Sequence, residues 1–312
     1  MTLFDKQLVI IGGKGGVGRT TVSSALALAA AKRGKRVLLA QSKSKERLSS
    51  LFGVPPVGAD VMRVRENLYA VNMTPAAALL EYGAMVLHSE FIAKQVLENK
   101  VSRSFLHAIP GLDDYSMLGK IWYHTTELEH GRRKWDLVVF DAPATGHLVT
   151  MLQIPQAILD SVPEGPLTRP AQAARDLVRD PQRTALSIVT LAEDLPSNEA
   201  IELAASAKQK IAAPLGPLVV NALYPPRFSQ GVSARALEAL PENVGDGELQ
   251  PLVTSARTEQ RRRALNDHYL ERLRHELPVP QVHLPYLFAA EFGPKCVEEL
   301  ATRLDAQLAA LG

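Results

Sequence analysis

A glycine-rich loop near the amino-terminal end limits the possible folds of this 312-residue chain more than any other segment. The loop, residues 13–20 with the sequence GKGGVGRT, follows the apolar residues 7–11 and precedes the alanine- and leucine-rich residues 20–32. In such a strand–loop–helix unit, backbone N–H groups and the helix dipole point into one concavity and attract a phosphate chain. The segment predicts a phosphate-binding loop rather than a glycine-rich turn without a ligand.

The residues of this loop have separate expected roles in holding ATP and Mg²⁺. The candidate nucleotide-binding residues here are Gly13, Lys14, Gly15, Gly16, Val17, Gly18, Arg19, Thr20 and Thr21. Thr20 would supply its hydroxyl to Mg²⁺. The common motif has a lysine before this threonine, whereas this chain has Arg19, whose planar guanidinium is not equivalent to a compact ammonium. Arg19 therefore weakens the prediction of hydrolysis more than the prediction of binding.

Apolar segments that alternate with helical patterns predict the fold class. They lie at residues 7–11, 36–40, 68–72, 137–140, 185–191, 217–221 and 282–284. Their uninterrupted Val, Ile and Leu runs indicate strands covered on both faces, and strands separated by helices predict a mostly parallel sheet. We therefore expect an α/β fold, a doubly wound P-loop NTPase, with residues 1–312 forming a single domain.

Three stretches depart from simple strand-to-helix alternation. Residues 75–133 have helical patterning and no clear strand, and residues 155–183 are similar. We expect these two stretches to form a helical subdomain packed at one edge of the sheet. Pro, Gly and Ser punctuate residues 225–247, which predicts a flexible loop.

Composition excludes several classes of protein. The formal charge of +2 argues against a nucleic-acid partner, which usually requires a concentrated basic excess. One cysteine, Cys296, cannot form a disulfide framework within the chain. No segment has the length and apolarity of a signal peptide or a membrane span, so we expect a cytoplasmic protein without stable membrane insertion.

Asp141 is a second candidate residue for catalysis and metal binding. It closes the apolar residues 137–140 and precedes residues 142–147, APATGH. An acidic residue there can hold the water shell of Mg²⁺ or orient an attacking water. Asp141 is therefore a candidate catalytic and metal-binding residue, with Thr20 as the other metal candidate. His147 could position a phosphate or be an ordinary loop residue.

In combination these motifs resemble the ArsA/Get-type ATPases, which comprise arsenite-pump ATPases and the targeting ATPases for tail-anchored membrane proteins. Lys14 with residues 15–18 resembles a deviant Walker A loop. Residues 141–147 and 152–155 resemble the second switch of that family. The overall pattern is most similar to bacterial single-domain members that pair as unlike subunits.

The resemblance also implies nucleotide contacts in the second half of the chain. Asn221, in the sequence VVN, matches the asparagine that recognises adenine in the family. Pro285, in the sequence LPY, lies in the carboxyl-terminal signature. The resemblance implies an ATP-binding subunit that switches a dimer, a homodimer or a heterodimer with a related ATPase subunit, to handle a client or partner protein. Lys14 would act catalytically on the partner's nucleotide, or else be a solvated loop lysine.

The chain departs from the family at a second catalytic position. Lys43 stands where the first switch of the family carries an aspartate, and Glu46 is the nearest acid. With Arg19, this supports an alternative function: a weakly hydrolytic or pseudo-ATPase subunit that lends Lys14 to a catalytic sibling. The sequence leaves open whether the chain hydrolyses ATP alone.

Two further patterns have competing interpretations. Apolar side chains within residues 79–97 could line a groove for a hydrophobic client helix or form ordinary helical core. The arginines of residues 257–272 alternate with acids, which favours a solvated helix face over a nucleic-acid stripe. A membrane-surface ATPase would need a basic amphipathic tail, but residues 295–311 carry three acids.

Overall fold

The computed structural model describes residues 2–42, 46–87, 91, 95, 111–165, 168–228, 231–241 and 249–311. Their strands are β1 (Leu8–Gly12), β2 (Val37–Ser42), β3 (Met62–Arg65), β4 (Leu68–Met73), β5 (Leu128–Glu129), β6 (Arg132–Arg133), β7 (Leu137–Asp141), β8 (Thr184–Leu191), β9 (Leu218–Leu223) and β10 (Gln281–Pro285). Their helices are α1 (Arg19–Lys32), α2 (Leu48–Phe52), α3 (Pro75–Leu87), α4 (Leu112–Thr126), α5 (Thr145–Ser161), α6 (Thr168–Arg179), α7 (Asp194–Ser206), α8 (Gly231–Ala239), α9 (Leu249–Glu276) and α10 (Pro294–Ala310).

Eight of these strands form one sheet in the order β10-β9-β8-β1-β7-β2-β4-β3. Neighbours pair in parallel except β3 and β4, which are antiparallel. The α/β, mostly parallel sheet that the sequence predicts is confirmed. The connection from β1 crosses to one side and the connection from β7 to the other, so the order reverses beside β1. In open α/β sheets, ligands bind at the carboxyl ends of strands at such a switch point.

Helices cover both faces of the sheet, which explains the uninterrupted apolar runs. Leu8 and Ile10 of β1 pack into the core beneath α4, α5 and α7, whereas Val9 and Ile11 face the core that α1 and α10 close. Helix α1 buries residues on every side, from Val22 to Ala31. Its small alanines permit close approach both to the sheet and to α10.

The seven predicted strands are confirmed with shifts at their ends, but two predictions about the connections were wrong. The stretch predicted as residues 75–133 without a strand contains the β5–β6 hairpin, and residues 225–247 contain helix α8. Strand β3 was missed because Val64 is its one buried residue and supplies little pattern. The hairpin strands have two residues each around His130 and Gly131, both with positive φ. Strands of two residues are too short to show the alternation of apolar and polar residues by which a strand is predicted from sequence.

Helices α3, α4, α5 and α6 pack against one another beside the sheet. Pro155 lies buried inside α5. Whether these helices form a distinct subdomain stays a prediction. Among the described residues, no helix combines the length and apolarity needed to cross a bilayer.

Candidate functional site

The loop between β1 and α1 has the backbone that its glycines predict. Gly13, Gly16 and Gly18 have φ values of 141°, 91° and 91°, which side chains of L-residues rarely adopt. A Cβ on Gly13 would collide with the carbonyl oxygen of Val189. Gly13 is therefore required by the close passage of the loop along β8, while Gly16 and Gly18 are required by their positive φ.

Asn221 ties this loop to β9. Its Nδ2 donates a 3.0 Å hydrogen bond to the carbonyl of Val17, and a Cβ on Gly18 would strike the same amide. Pro285 ends β10 beside Leu223 of β9. The next residue, Tyr286, stacks on the ring of Tyr224 with centroids 5.1 Å apart. Asn221 thus touches the loop directly, while Pro285 lies one strand away among exposed aromatic rings.

Asp141 lies at the carboxyl end of β7, and three donors from two elements, α1 and β2, surround it. Its Oδ2 accepts a 2.7 Å hydrogen bond from the Thr20 hydroxyl, and its Oδ1 accepts a 3.3 Å bond from Ser23. Gln41 of β2 donates through Nε2 across 3.5 Å. The sequence motifs predict the meeting of Thr20 and Asp141. They do not predict Ser23 or Gln41, which sheet register and helix periodicity bring to the carboxylate.

Burial dominates the electrostatics of Asp141. Its side chain is buried, and desolvation raises the pKa of the carboxyl above its ordinary value. The hydrogen bonds from Thr20, Ser23 and Gln41 and the charge of Arg19 act in the opposite direction. Because burial disfavours the ionised form of Asp141, an additional positive charge beside the carboxylate would stabilise the site.

Arg19, in the position of the usual lysine, turns toward the second switch segment. Its guanidinium donates to the backbone carbonyl of Ala142. Burial lowers the pKa of the Arg19 guanidinium, while the negative charge of Asp141 opposes that shift. Arg19 therefore links the first turn of α1 to the backbone that follows Asp141.

A cavity of about 290 Å³ opens between these segments. Its lining residues come from α1, the end of β2 and the turn into α5: Arg19, Thr20, Ser42, Asp141, Ala142, Pro143, Ala144 and His147. Ser42 is absent from the sequence-predicted set, because no motif marks it. The cavity contains cationic, anionic and hydroxyl groups, a combination suited to a phosphate with its cation.

Lys14 lies away from this cavity. Its Nζ forms a 2.5 Å ion pair with Oε1 of Glu199 on α7, and about a third of each side chain is exposed. Thr21 is half-buried in the first turn of α1. Lys43 lies outside the described residues. Glu46 accepts hydrogen bonds from the backbone and hydroxyl of Ser49, so it holds the start of α2.

The oxygen donors fit a hard divalent cation such as Mg²⁺. Thr20 supplies a hydroxyl and Asp141 a carboxylate, both oxygen groups that Mg²⁺ prefers. The part of the chain that the structure describes contains no cluster of three or more His, Cys, Asp or Glu side chains that could hold a metal. A Mg²⁺ ion here would therefore take its remaining ligands from water and phosphate.

Comparison with known proteins agrees with this geometry. Residues 6–164, which include the loop, β7 and the start of α5, match the family model described as anion-transporting ATPase. The chain belongs to the anion-transporting ATPase family. Among curated relatives, it is similar to the ATPase BagA of Mycobacterium tuberculosis, with 31% identity over 241 residues, covering 74% of this chain and 69% of the relative.

More distant members of the anion-transporting ATPase family match a shorter part of the chain. The ATPase GET3 of Kluyveromyces lactis is 30% identical over 167 residues, which cover 51% of this chain and 48% of that protein. The ATPase ASNA1 homolog 1 of Paramecium tetraurelia is 30% identical over 149 residues, covering 47% and 43%. The ArsA/Get-type resemblance of the sequence motifs is thereby confirmed at the level of the family.

Proposed function

We propose that this chain binds ATP with Mg²⁺ through residues 13–21 and works as an ATPase subunit within a dimer. The observation that carries the proposal is the 2.7 Å hydrogen bond from the Thr20 hydroxyl to Asp141, beside the glycine loop. A hydroxyl that donates its proton to a carboxylate keeps its oxygen lone pairs available for a cation. The adjoining loop and helix start suit the phosphates that would accompany this cation.

Each residue has a defined role in this proposal. The backbone of Gly13 to Gly18 cradles the phosphates, Thr20 holds the metal and Asp141 orients its water shell or the attacking water. Bound Mg²⁺ supplies positive charge to the terminal phosphates. Asn221 and Pro285 lie toward the adenine.

Lys14 acts across the interface of a homodimer or of a heterodimer with a related ATPase subunit. Its ammonium stabilises the negative charge that develops on the partner's phosphates, as an arginine finger does. In the single chain, Lys14 instead pairs with Glu199. Assembly therefore exchanges one modest, solvent-screened pair for a phosphate contact in a site that excludes water.

The test is calorimetric titration of the purified chain with a non-hydrolysable ATP analogue and Mg²⁺. Wild type is expected to bind, and Thr20→Val is expected to weaken binding in Mg²⁺ about tenfold while leaving binding in EDTA unchanged. Thr21→Val is the control for the metal: Thr21 belongs to the nucleotide-binding residues but has no assigned metal contact, so any loss of affinity should be the same in Mg²⁺ and in EDTA. Equal behaviour of the two variants would remove Thr20 from the metal site.

A weakly hydrolytic partner subunit is the second candidate function. The contact of Arg19 with the Ala142 carbonyl favours this second function. The guanidinium is already bound to the protein, whereas the lysine of the common motif would offer a compact charge to the phosphates. Lys43 adds to this view by its position in the sequence. The double variant Arg19→Lys, Lys43→Asp restores the usual residues, and single-chain turnover should then rise at least tenfold. Rapid wild-type turnover that either restoring change leaves unaltered would sink this candidate.

The proposal also includes a conformational change of the dimer. Residues 75–133 and 155–183 would form a helical subdomain that moves when the dimer opens and closes, and a client or partner protein would respond to that movement. Most of the apolar residues between 79 and 97 lie outside the described side chains, while Leu79 packs in the core. A cytoplasmic location remains part of the proposal.

A further inference from the structure

Ser42 combines burial, an unused hydroxyl and a position on the cavity wall. It is the last residue of β2, its side chain is 1% exposed, and its Oγ has no hydrogen-bond partner among the described residues. A buried hydroxyl without a partner is destabilising, because it gives up its hydrogen bonds to water and gains none in return. Since Ser42 also lines the cavity, a ligand there could satisfy the hydroxyl and recover that cost.

The register of the sheet fixes where this hydroxyl lies. Gln41 pairs in register with Asp141 across β2 and β7, and its amide donates to that carboxylate. Ser42 is one residue further along, at the carboxyl edge where β2 leaves the sheet. Leu38 and Ala40 of β2 face the core on the side away from α1, and alternation along the strand puts Ser42 on that side, where it lines the cavity with the residues that follow Asp141.

The charges around the cavity define the ligand. Arg19 contributes a cation, and Asp141 is already surrounded by donors from Thr20 and Gln41. An anion with its own metal ion satisfies both kinds of group, and a serine hydroxyl donates well to an anionic oxygen. The glycine loop lies on the α1 side, so the opposite wall receives the part of a bound nucleotide that extends past the loop.

We propose that Ser42 is a further binding residue, whose hydroxyl donates a hydrogen bond to the terminal phosphate of a nucleoside triphosphate or accepts one from a water on its metal ion. This inference rests on the proposed nucleotide function and adds to it that the end of β2 distinguishes triphosphate from diphosphate. The hydroxyl takes this role in a chain whose next residue, Lys43, cannot act as the carboxylate base of the family pattern.

The chain offers a matched control in Ser24. Its hydroxyl is also buried, with 0% exposure, and also lacks a hydrogen-bond partner among the described residues. Ser24 lies in α1 and does not line the cavity. Ser24→Ala therefore removes the same atom from a similar environment, without removing a group that could reach a ligand.

The experiment measures the affinities of wild type, Ser42→Ala and Ser24→Ala for a β,γ-imido ATP analogue and for ADP, by calorimetry. Ser42→Ala is expected to weaken the analogue with Mg²⁺ about tenfold, since hydrogen bonds to charged groups are the strong ones. ADP affinity should change less than about twofold, and Ser24→Ala should bind both as wild type does. Repeating the analogue titration in EDTA separates the two possible partners of the hydroxyl. A loss of affinity that persists in EDTA assigns the phosphate, and a loss that disappears assigns the metal-bound water.

Folding is checked separately by thermal unfolding without nucleotide. Removing an unsatisfied buried hydroxyl should leave the midpoint of Ser42→Ala at or above that of wild type. Ser42→Cys has a side chain of similar size with a weaker donor. Its affinity for the analogue should therefore fall between the affinities of wild type and Ser42→Ala. Equal weakening of ADP and the analogue, or no weakening of either, overturns the assignment of Ser42. If wild type binds neither nucleotide, the proposed function itself fails, and Ser42 fails with it.

Discussion

Two buried polar clusters of this molecule differ in how their groups are satisfied. The sheet-edge cluster comprises Thr20, Ser23, Gln41 and Asp141, and every member hydrogen-bonds to the Asp141 carboxylate. The α4 cluster comprises Glu81, Lys120, His124, Glu127 and Lys134. Ion pairs join Lys120 to Glu81, which is half exposed, and Lys134 to Glu127. Both clusters remove titratable groups from water, a costly arrangement without specific compensation.

The difference lies in the atoms that remain without partners. At the sheet edge they are Gln41 Oε1 and, beside the cluster, the Ser42 hydroxyl on the cavity wall. In the α4 cluster both ring nitrogens of His124 lack hydrogen bonds, although Glu127 lies 3.5 Å from Nδ1. The first pattern suits a ligand, and the second suits a group that stays neutral because burial disfavours its charge. Four experiments can break or sharpen this contrast.

The largest effect should come from the loop that supports the sheet-edge cluster. Gly13→Ala places a methyl group against the Val189 carbonyl at a φ of 141°, so we expect a loss of about 3 kcal/mol or more in the free energy of unfolding. Gly15→Ala is the control, because a Cβ there meets nothing within 4 Å. Its stability should stay within about 0.5 kcal/mol of wild type. Urea denaturation measures both, and equal stabilities would show that the loop backbone is not so constrained.

The next effect tests the ion pair of the α4 cluster. Lys120 Nζ lies 2.7 Å from Glu81 Oε1, with side-chain exposures of 4% and 53%. Glu81→Gln leaves the buried ammonium without its counter-charge and should cost about 1–2 kcal/mol, less than for a fully buried pair because Glu81 reaches solvent. Adding Lys120→Met should restore most of the loss, since the charge is removed together with its partner. A double variant less stable than Glu81→Gln would mean that Lys120 contributes mainly through other contacts.

The sequence predicts the parts of this molecule that depend on local pattern. Strands β1, β2, β7 and β8 show no alternation of apolar and polar residues because both their faces are buried, and the glycine spacing of the loop encodes its backbone. Contacts that depend on register are not encoded locally. Thr20 meets Asp141 across 121 positions, which family motifs anticipate, but no motif brings Gln41 to Asp141 or Glu199 to Lys14.

The α4 cluster was not anticipated for a related reason. Lys120 and His124 are spaced like any polar residues on a helix, and nothing in the sequence indicates that α3 and the hairpin cover them. Burial of such groups follows from tertiary packing that overrides the usual exposure of Lys and His. The same applies to Ser42, whose functional interest arises from the cavity beside it and not from its neighbours in the chain.

A smaller effect should appear in the pH dependence of stability. Burial and the charge of Lys120 lower the pKa of His124, while Glu127 and Glu81 oppose the shift. The unfolded chain therefore takes up this proton first, so stability is complete above a pH of about 6.5 and falls as the pH decreases below it. His124→Gln should therefore reduce the loss of stability between pH 7.5 and pH 5, because the variant has no imidazole that takes up a proton on unfolding.

Urea midpoints measured across this pH range test the role of His124. His275→Gln, at the exposed end of α9, is the control for loss of a histidine. If both variants keep the wild-type slope, acid sensitivity arises elsewhere and His124 does not distinguish the two clusters.

The smallest effect on stability should come from the Lys14–Glu199 pair, which is partly exposed to solvent and so provides a comparison for the two buried clusters. Its partners are 32% and 35% exposed, and a double-mutant cycle with Lys14→Ala and Glu199→Gln should give a coupling below about 1 kcal/mol. Arg33 and Asp305 form a pair of the same 2.5 Å length, 37% and 38% exposed, and should give a similar value.

The two pairs should differ in sedimentation with the non-hydrolysable ATP analogue. Lys14→Ala should lose nucleotide-dependent dimerisation while Arg33→Ala retains it, because the proposed dimer needs Lys14 and not Arg33. A coupling of several kcal/mol, or equal dimerisation of both variants, would place Lys14 among the structural groups of its own chain.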